Sequence, residues 1–384
     1  MTVYFDHNAS STLLPEVLET MLPLMSGSHG NASSLHGSGR LLRSAIETAR
    51  AQVAQLVGVA PQQVIFTSGG TEANNLALKG AVDACAAPAL MSSPIEHASV
   101  LEPLAQLEAQ GARVDYLAVT ADGAVDIEQA EARIAGHRPE WLSLQRANNE
   151  TGVLQPVAEV AAIARSAGVK WLHCDATQMA GKGELDFDSL GVDLMTLSAH
   201  KFGGPQGVGA LIAKPGIRLQ SLLAGGPQEQ GRRAGTENAA LIAGFGKACE
   251  QVANDLPERQ AFLLELRTRF EARLKEIDGV VIFGEAAERL PNTSFFAIPF
   301  YHGETLLMEL DKAGFALASG SACHSEVTRP SHVLTAMGVD EDLALNAVRA
   351  SFGMENSLQQ VDRLVDTLQQ LINRLPAAMR QLHG

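Results

Sequence analysis

The chain has 384 residues, 46% of them hydrophobic, and a formal net charge of −14. That length exceeds one ordinary core and predicts two domains, while the negative balance argues against a general nucleic-acid or anionic-membrane binder. No basic, apolar leader opens the chain and no apolar stretch is long enough to span a bilayer, so a soluble cytoplasmic protein is expected.

Val3-Tyr4-Phe5 reads as a short strand. The dense polar turn Asp6-His7-Asn8-Ala9-Ser10-Ser11-Thr12 follows. It either caps a helix starting near Pro15 or lines a site with backbone and amide donors. A helix is expected over about 38–56. The strand Val64–Ser68 then runs into Gly69-Gly70-Thr71-Glu72-Ala73-Asn74-Asn75 and a helix to about residue 84. A glycine pair at a helix start, here including Gly70, is an anion site, because free N–H groups and the helix dipole point outward; ordinary strand-to-helix turns share the pattern. The Thr71 hydroxyl can add one hydrogen bond. Strands at 89–92, 114–119, 141–144 and 209–213 alternate with helices near 98–109, 126–135 and 156–167. This alternation implies an α/β fold with a mostly parallel sheet covered on both faces. His97 and Asn149 both fall after strands.

Two further apolar strands carry the chemistry. Trp171-Leu172-His173-Cys174 ends in Asp175, and Leu194-Met195-Thr196-Leu197 leads into Ser198-Ala199-His200-Lys201. A lysine at a strand end suits a Schiff base with an aldehyde cofactor, since desolvation frees its amine. Pyridoxal phosphate (PLP) also needs a carboxylate to hold its ring nitrogen protonated, and Asp175 can supply it. Both residues end neighbouring strands of a parallel sheet, and ligands of open α/β sheets lie at the carboxyl ends. A plain helix cap is the other use of Asp175.

The loop 225–238 holds Arg232 and Arg233 and suits an anion or a partner subunit. Helices near 238–253 and 257–277 follow. Short strands at 280–283, 294–298, 315–318 and 347–352 then mix with helices at 303–313, 331–337 and 357–374. That order predicts a second, smaller α+β domain, with the boundary near 255–260. Of the four cysteines, Cys85, Cys174 and Cys249 are flanked by apolar or helical sequence and read as structural thiols. No C-x-x-C pair or zinc spacing occurs, so no metal is expected. Cys323, in Ser319-Gly320-Ser321-Ala322-Cys323-His324, reads instead as an accessible thiol on a flexible loop. Arg349 lies inside an apolar strand and needs an anion, either a substrate carboxylate or a salt bridge between domains.

As a set these motifs resemble the PLP-dependent cysteine desulfurases of aminotransferase class V, fold type I. The likeness spans nearly the whole chain, from Tyr4-Phe5-Asp6-His7-Asn8-Ala9 to Arg349-Ala350-Ser351-Phe352. The cysteine segment, followed by a long loop to Pro330-Ser331, is similar to the iron–sulfur and nitrogenase group. The resemblance implies a large PLP-binding domain of 13–257 and a small domain of 1–12 and 258–384. It also implies that Lys201 carries PLP and shuttles the substrate Cα proton. Asp175 pairs with the ring nitrogen, Gln178 with the phenolic oxygen, and His97 stacks on the ring. Gly70, Thr71, Ser198 and His200 bind the phosphate, joined by Thr236 from the other subunit of a homodimer. Asn149 and Arg349 hold the carboxylate of L-cysteine, and Cys323 takes its sulfur as a persulfide for an acceptor protein. A selenocysteine lyase, another class V enzyme and a non-catalytic scaffold are the rival readings. His324, Gln230 and the ending Leu382-His383-Gly384 depart from the common pattern and leave the acceptor open.

Overall fold

The computed structural model describes residues 2–27, 30–81, 88–298, 301–319 and 329–374. The chain opens with strand β1 (Val3–Tyr4) and helices α1 (Pro15–Ser26) and α2 (Gly37–Leu56). Pro15 suits the first turn of α1, where its missing N–H would have had no helical partner. In α2, Leu42, Ile46, Ala49 and Val53 are buried at spacings of three and four residues, which puts them on one face.

Strand and helix then alternate: β2 (Val64–Thr67), α3 (Gly70–Ala81), β3 (Ala89–Ser92), α4 (Ala98–Ala109), β4 (Arg113–Tyr116), α5 (Ile127–His137), β5 (Trp141–Ser143), α6 (Val157–Ser166), β6 (Trp171–Asp175), β7 (Leu194–Ser198) and β8 (Gly209–Ala213). Among the described residues β2 to β8 form one sheet in the order β2-β8-β7-β6-β5-β3-β4. β8 runs antiparallel to β2 and β7, and the other pairs are parallel. Successive side chains of a strand point to opposite faces. Ile65, Leu90, Trp141 and Leu194 therefore join one apolar cluster while Phe66, Met91, Leu142 and Met195 join the other. With both faces covered, the strands read as apolar runs rather than alternating ones. The carboxyl ends of β2, β3, β5, β6 and β7 share one edge.

The sequence reads two helices near 238–253 and 257–277; the structure has one, α7 (Ala239–Leu274), of 36 residues. Pro257 lies inside it and removes one backbone donor. Packing on either side keeps the helix going: Ala248, Cys249 and Val252 belong to the core beneath the large sheet, and Leu263, Leu266, Phe270 and Leu274 to a second core.

Beyond α7 come β9 (Val281–Ile282), β10 (Thr293–Ala297), α8 (Gly303–Lys312), β11 (Phe315–Ala316), β12 (Ala318–Ser319), α9 (His332–Ala336), α10 (Glu341–Leu345), β13 (Ala347–Ser351) and α11 (Leu358–Asn373). β12, β13, β10 and β9 form an antiparallel sheet, while β1 pairs in parallel with β11. The first residues of the chain are thus tied to its last third. The stretch 315–318, which reads as one strand, splits because its halves serve different sheets. Periodicity gives no helix at α10; its signal is Asp340, whose carboxylate accepts the N–H groups of Asp342 and Leu343. The architecture is the expected one, a mostly parallel α/β sheet beside a smaller α+β unit.

Among the described residues, no helix is long and apolar enough to cross a membrane, and no group of three His, Cys, Asp or Glu side chains could hold a metal ion. Cys174 and Cys249 are buried free thiols, and Cys85 lies outside the described residues.

Candidate active site

A cavity of about 240 Å³ opens on the carboxyl edge of the large sheet. Nine of the expected residues line it: Gly70, Thr71, His97, Asn149, Asp175, Gln178, Ser198, His200 and Lys201. They arrive from β2, β3, β5, β6 and β7, so the sheet's topology alone brings them together.

Lys201 follows β7, and its Nζ donates to the carbonyls of Asn8 at 2.7 Å and Ala9 at 3.0 Å. The polar turn near the start of the chain therefore abuts the site through Lys201, with backbone acceptors rather than the expected donors. It does not cap α1, whose N-cap residue Leu14 has no side-chain hydrogen bond. Burial lowers the Lys201 amine to about 8; Arg349 adds to the effect, while Asp175 and Asp6 oppose it. A substantial share of the amine is consequently neutral, hence nucleophilic, near physiological pH.

Asp175 ends β6 inside the pocket. Its Oδ2 accepts Asn74 Nδ2 at 2.7 Å and its Oδ1 accepts the Thr177 N–H at 2.9 Å. Asn74 also donates to Ser99 Oγ at 2.8 Å. Ser99 lies 2.8 Å from Nδ1 of His97, which in addition accepts the Ser99 N–H at 3.0 Å and so caps α4. One chain of hydrogen bonds thus orients the carboxylate and the imidazole together. Burial lowers the His97 pKa against the opposing charge of Asp175, leaving the ring neutral near pH 7. Burial, with Lys201 and Lys182, takes His200 down to about 4. Beneath His97, Glu96 is buried and its carboxyl is pushed well above the usual range by desolvation, although Oε1 accepts the Gln145 N–H at 2.7 Å.

At the other end of the cavity the first turn of α3 faces two hydroxyls. Ser198 Oγ and Thr177 Oγ1 are buried and have no partner among the described residues. A Cβ on Gly70 would lie 3.1 Å from Thr177 Oγ1, so glycine keeps this corner open. Unpaired buried hydroxyls are costly. Set beside a helix N-terminus, they form a cradle for an anion. A phosphate cradle, a carboxylate, a neutral imidazole and a depressed-pKa lysine in one cavity match the parts of PLP: its phosphate, ring nitrogen, ring face and aldehyde carbon.

Three expected residues stand apart. Arg349 is buried; its guanidinium donates to Asp6 Oδ1 at 2.5 Å and to the Asn149 carbonyl at 2.8 Å. It is thus the salt bridge to the chain's first turn, and it meets the pocket through Asn149. Its Nε is buried without a partner among the described residues. Thr236 is exposed and does not line this cavity. Cys323 lies outside the described residues. Sequence reasoning missed Asn8, Asn74, Ser99, Thr177 and Lys182. For Asn74 and Thr177 the signal was already in the quoted motifs; for Asn8 it was the crowding of polar residues in one short turn.

A fold and site of this kind define an α/β enzyme that binds a phosphorylated aldehyde cofactor at the carboxyl edge of its sheet. Residues 3–364 match the aminotransferase class V family. The cysteine desulfurase IscS of Dictyoglomus turgidum is 39% identical over 97% of this chain and 95% of its own length. A NifS-like protein superposes with a TM-score of 0.91 at 34% identity, covering 98% of this chain and all of that one. A structure of SspA in complex with cysteine gives a TM-score of 0.81 at 32% identity, over 91% of this chain and 99% of that one. The chain belongs to aminotransferase class V and, within it, to the PLP-dependent cysteine desulfurases.

Proposed function

We propose that the protein takes sulfur from L-cysteine, releases L-alanine and holds the sulfur as a persulfide on Cys323 for an acceptor protein in iron–sulfur assembly or thiolation. The observation that carries this reading is the meeting of Lys201, Asp175, His97 and the unpartnered Ser198 hydroxyl in one cavity. Lys201 would anchor PLP; Asp175 would pair with its ring nitrogen and Gln178 with its phenolic oxygen. His97 would lie against the ring, with Gly70, Thr71, Ser198 and His200 around the phosphate. Bound PLP supplies an electron sink for the substrate carbon.

The chain's own residues do the rest. Lys201, with a pKa of about 8, can both take and return the Cα proton. Asn149, which lines the cavity, and Arg349, which meets it through the Asn149 carbonyl, would hold the substrate carboxylate. The Cys323 thiolate attacks the substrate sulfur: an S–S bond forms, the C–S bond breaks, and its electron pair stays with carbon.

The active unit would be a homodimer in which Thr236 completes the partner's phosphate site. Leu18, Leu22 and Met25 on one face of α1 are 43%, 50% and 64% exposed, and Leu35 and Leu41 are exposed as well, a surface that suits a second copy. The division into 13–257 against 1–12 and 258–384 is supported by α7, where burial passes from one core to the other around Pro257. Free buried thiols at Cys174 and Cys249 suit a cytoplasmic setting.

The test is to add L-cysteine and a reductant to the pure yellow protein and measure sulfide and alanine. Equal amounts of both are expected. Cys323→Ser should stay yellow and still change its visible spectrum with L-cysteine, yet carry no persulfide. A colourless protein, or sulfide release that survives the substitution, would overturn this reading.

A further inference from the structure

We propose that Lys182 is a positioning residue of the cofactor site, fixing the amide of Gln178 so that its nitrogen end faces the pocket. This rests on the reading that the cavity holds PLP.

Lys182 is only 4% exposed, and among the described residues no carboxylate is hydrogen-bonded to it. Its Nζ donates to Asn8 Oδ1 at 2.9 Å and to Gln178 Oε1 at 2.8 Å. Gln178 Nε2 donates in turn to the Asn8 carbonyl at 3.0 Å, the same carbonyl that accepts Lys201 Nζ at 2.7 Å. An amide has two N–H donors on nitrogen and acceptor capacity on oxygen. Here the oxygen is occupied by Lys182 and one N–H by Asn8, so the second N–H is left for the cavity that Gln178 lines. Flipping the amide would set Oε1 against the Asn8 carbonyl, a repulsive contact whatever the charge on Lys182, and would give up both bonds. Gln178 can therefore only donate. Asn8 is fixed by the same lysine, with Asn292 Nδ2 at 3.1 Å from its Oδ1 and Thr293 Oγ1 at 2.8 Å from its Nδ2.

The charged and titratable groups around Lys182 are Lys201, Arg349, His7, His200, Arg259 and Glu355. Burial, with the charges of Lys201 and Arg349, pushes its pKa well below the usual lysine range. A neutral amine has two N–H groups, and two carbonyl oxygens are what it finds here, so the arrangement needs no charge on Lys182.

The experiment is a pH titration of the visible absorbance of the holoenzyme, with no substrate present. A hydrogen bond donated to the cofactor's phenolic oxygen stabilises the form that has lost its proton. Lys182→Met should raise the titration midpoint by about one pH unit, the worth of one charge-assisted hydrogen bond. Gln178→Leu should raise it equally, and the double variant should show no further shift. Lys182→Gln, one atom shorter and unable to serve both acceptors, should give the same shift and replaces the Met variant if that one does not fold. A coloured Lys182→Met or Lys182→Gln enzyme with the parent midpoint overturns the proposal, because a merely structural lysine would lower thermal stability alone. Shifts that add in the double variant overturn it too. Failure of the cofactor reading looks different, since the parent protein would then carry no visible band.

Discussion

At the scale of single residues, the site depends on burial that disfavours charge. Lys201 is held at about 8 mainly by burial, and His97 is kept neutral by the same cause. Only a neutral amine attacks an aldehyde, so PLP uptake by the cofactor-free protein should speed up as pH rises and level off above about 8. Stopped-flow absorbance of apoprotein mixed with PLP across pH 6–10 measures this; a rate still climbing steeply near pH 10, as for a solvated lysine, would contradict the buried setting. The strand-end positions of Lys201 and Asp175 are legible in the sequence because each residue terminates an apolar run. Lys182 is not, since its role comes from a hydrogen bond to Asn8, 174 positions away. Local sequence shows where a polar residue sits but not which distant segment will meet it.

At the scale of elements, the segment carrying Cys323 is bracketed by two well-fixed pieces. On its N-terminal side β12 pairs with β13 through Ala318 and Ser319. On its C-terminal side Ser331 caps α9, its Oγ accepting the N–H groups of Val333 at 3.1 Å and Leu334 at 3.2 Å while donating to the buried Glu150 carboxylate. His332, the next residue, approaches the Glu96 carbonyl with its Nε2 at 2.9 Å, directly before His97 in the chain. The far stem of the cysteine segment is thus pinned to the strand-end loops that build the cofactor site. Ser331→Ala would remove an N-cap and leave Glu150 without that donor. The expected loss is roughly 2–4 kcal/mol of stability, measured by urea unfolding. A loss under about 0.5 kcal/mol would mean that α9 is held by Val333 and Leu334 packing instead. The helix near 331–337 was readable locally, but the carboxylate it meets, Glu150, lies in the turn after β5 and left no local mark. The merging of two expected helices into α7 has the same origin. Pro257 and the polar residues around it look like a boundary locally, and only the two cores on either side keep the helix continuous.

At the scale of the whole molecule, alternating strands and helices disclosed the large sheet and its active edge, while the proposed homodimer rests on fainter signs. The loop 225–238 is the clearest of them. Glu229 and Gln230 hold left-handed backbone at φ 46° and 58°, a region that costs a non-glycine residue roughly 1 kcal/mol or more. What stabilises it is a buried bidentate pair: Glu229 accepts both terminal nitrogens of Arg50 at 2.8 Å and the Phe66 N–H at 2.9 Å. The Arg50 guanidinium lies 4.8 Å from the Phe66 ring centre and also donates to the Val64 carbonyl at 2.9 Å. One end of the loop is thereby locked to α2 and β2, which fixes where the segment leading to Thr236 leaves the surface. Glu229→Ala would leave the buried Arg50 guanidinium with the more exposed Glu47 carboxylate, 3.2 Å from its Nε, as counter-charge, at a cost of up to about 3–5 kcal/mol, and would release the strained turn. If the loop completes a partner's phosphate site, the damage should extend beyond stability. Light scattering should show a concentration-dependent shift from two 40.6 kDa chains toward one, and PLP should dissociate faster from the diluted variant. Loss of thermal stability with an unchanged dimer and unchanged PLP retention would confine Glu229 to the fold and remove this loop from the subunit interface.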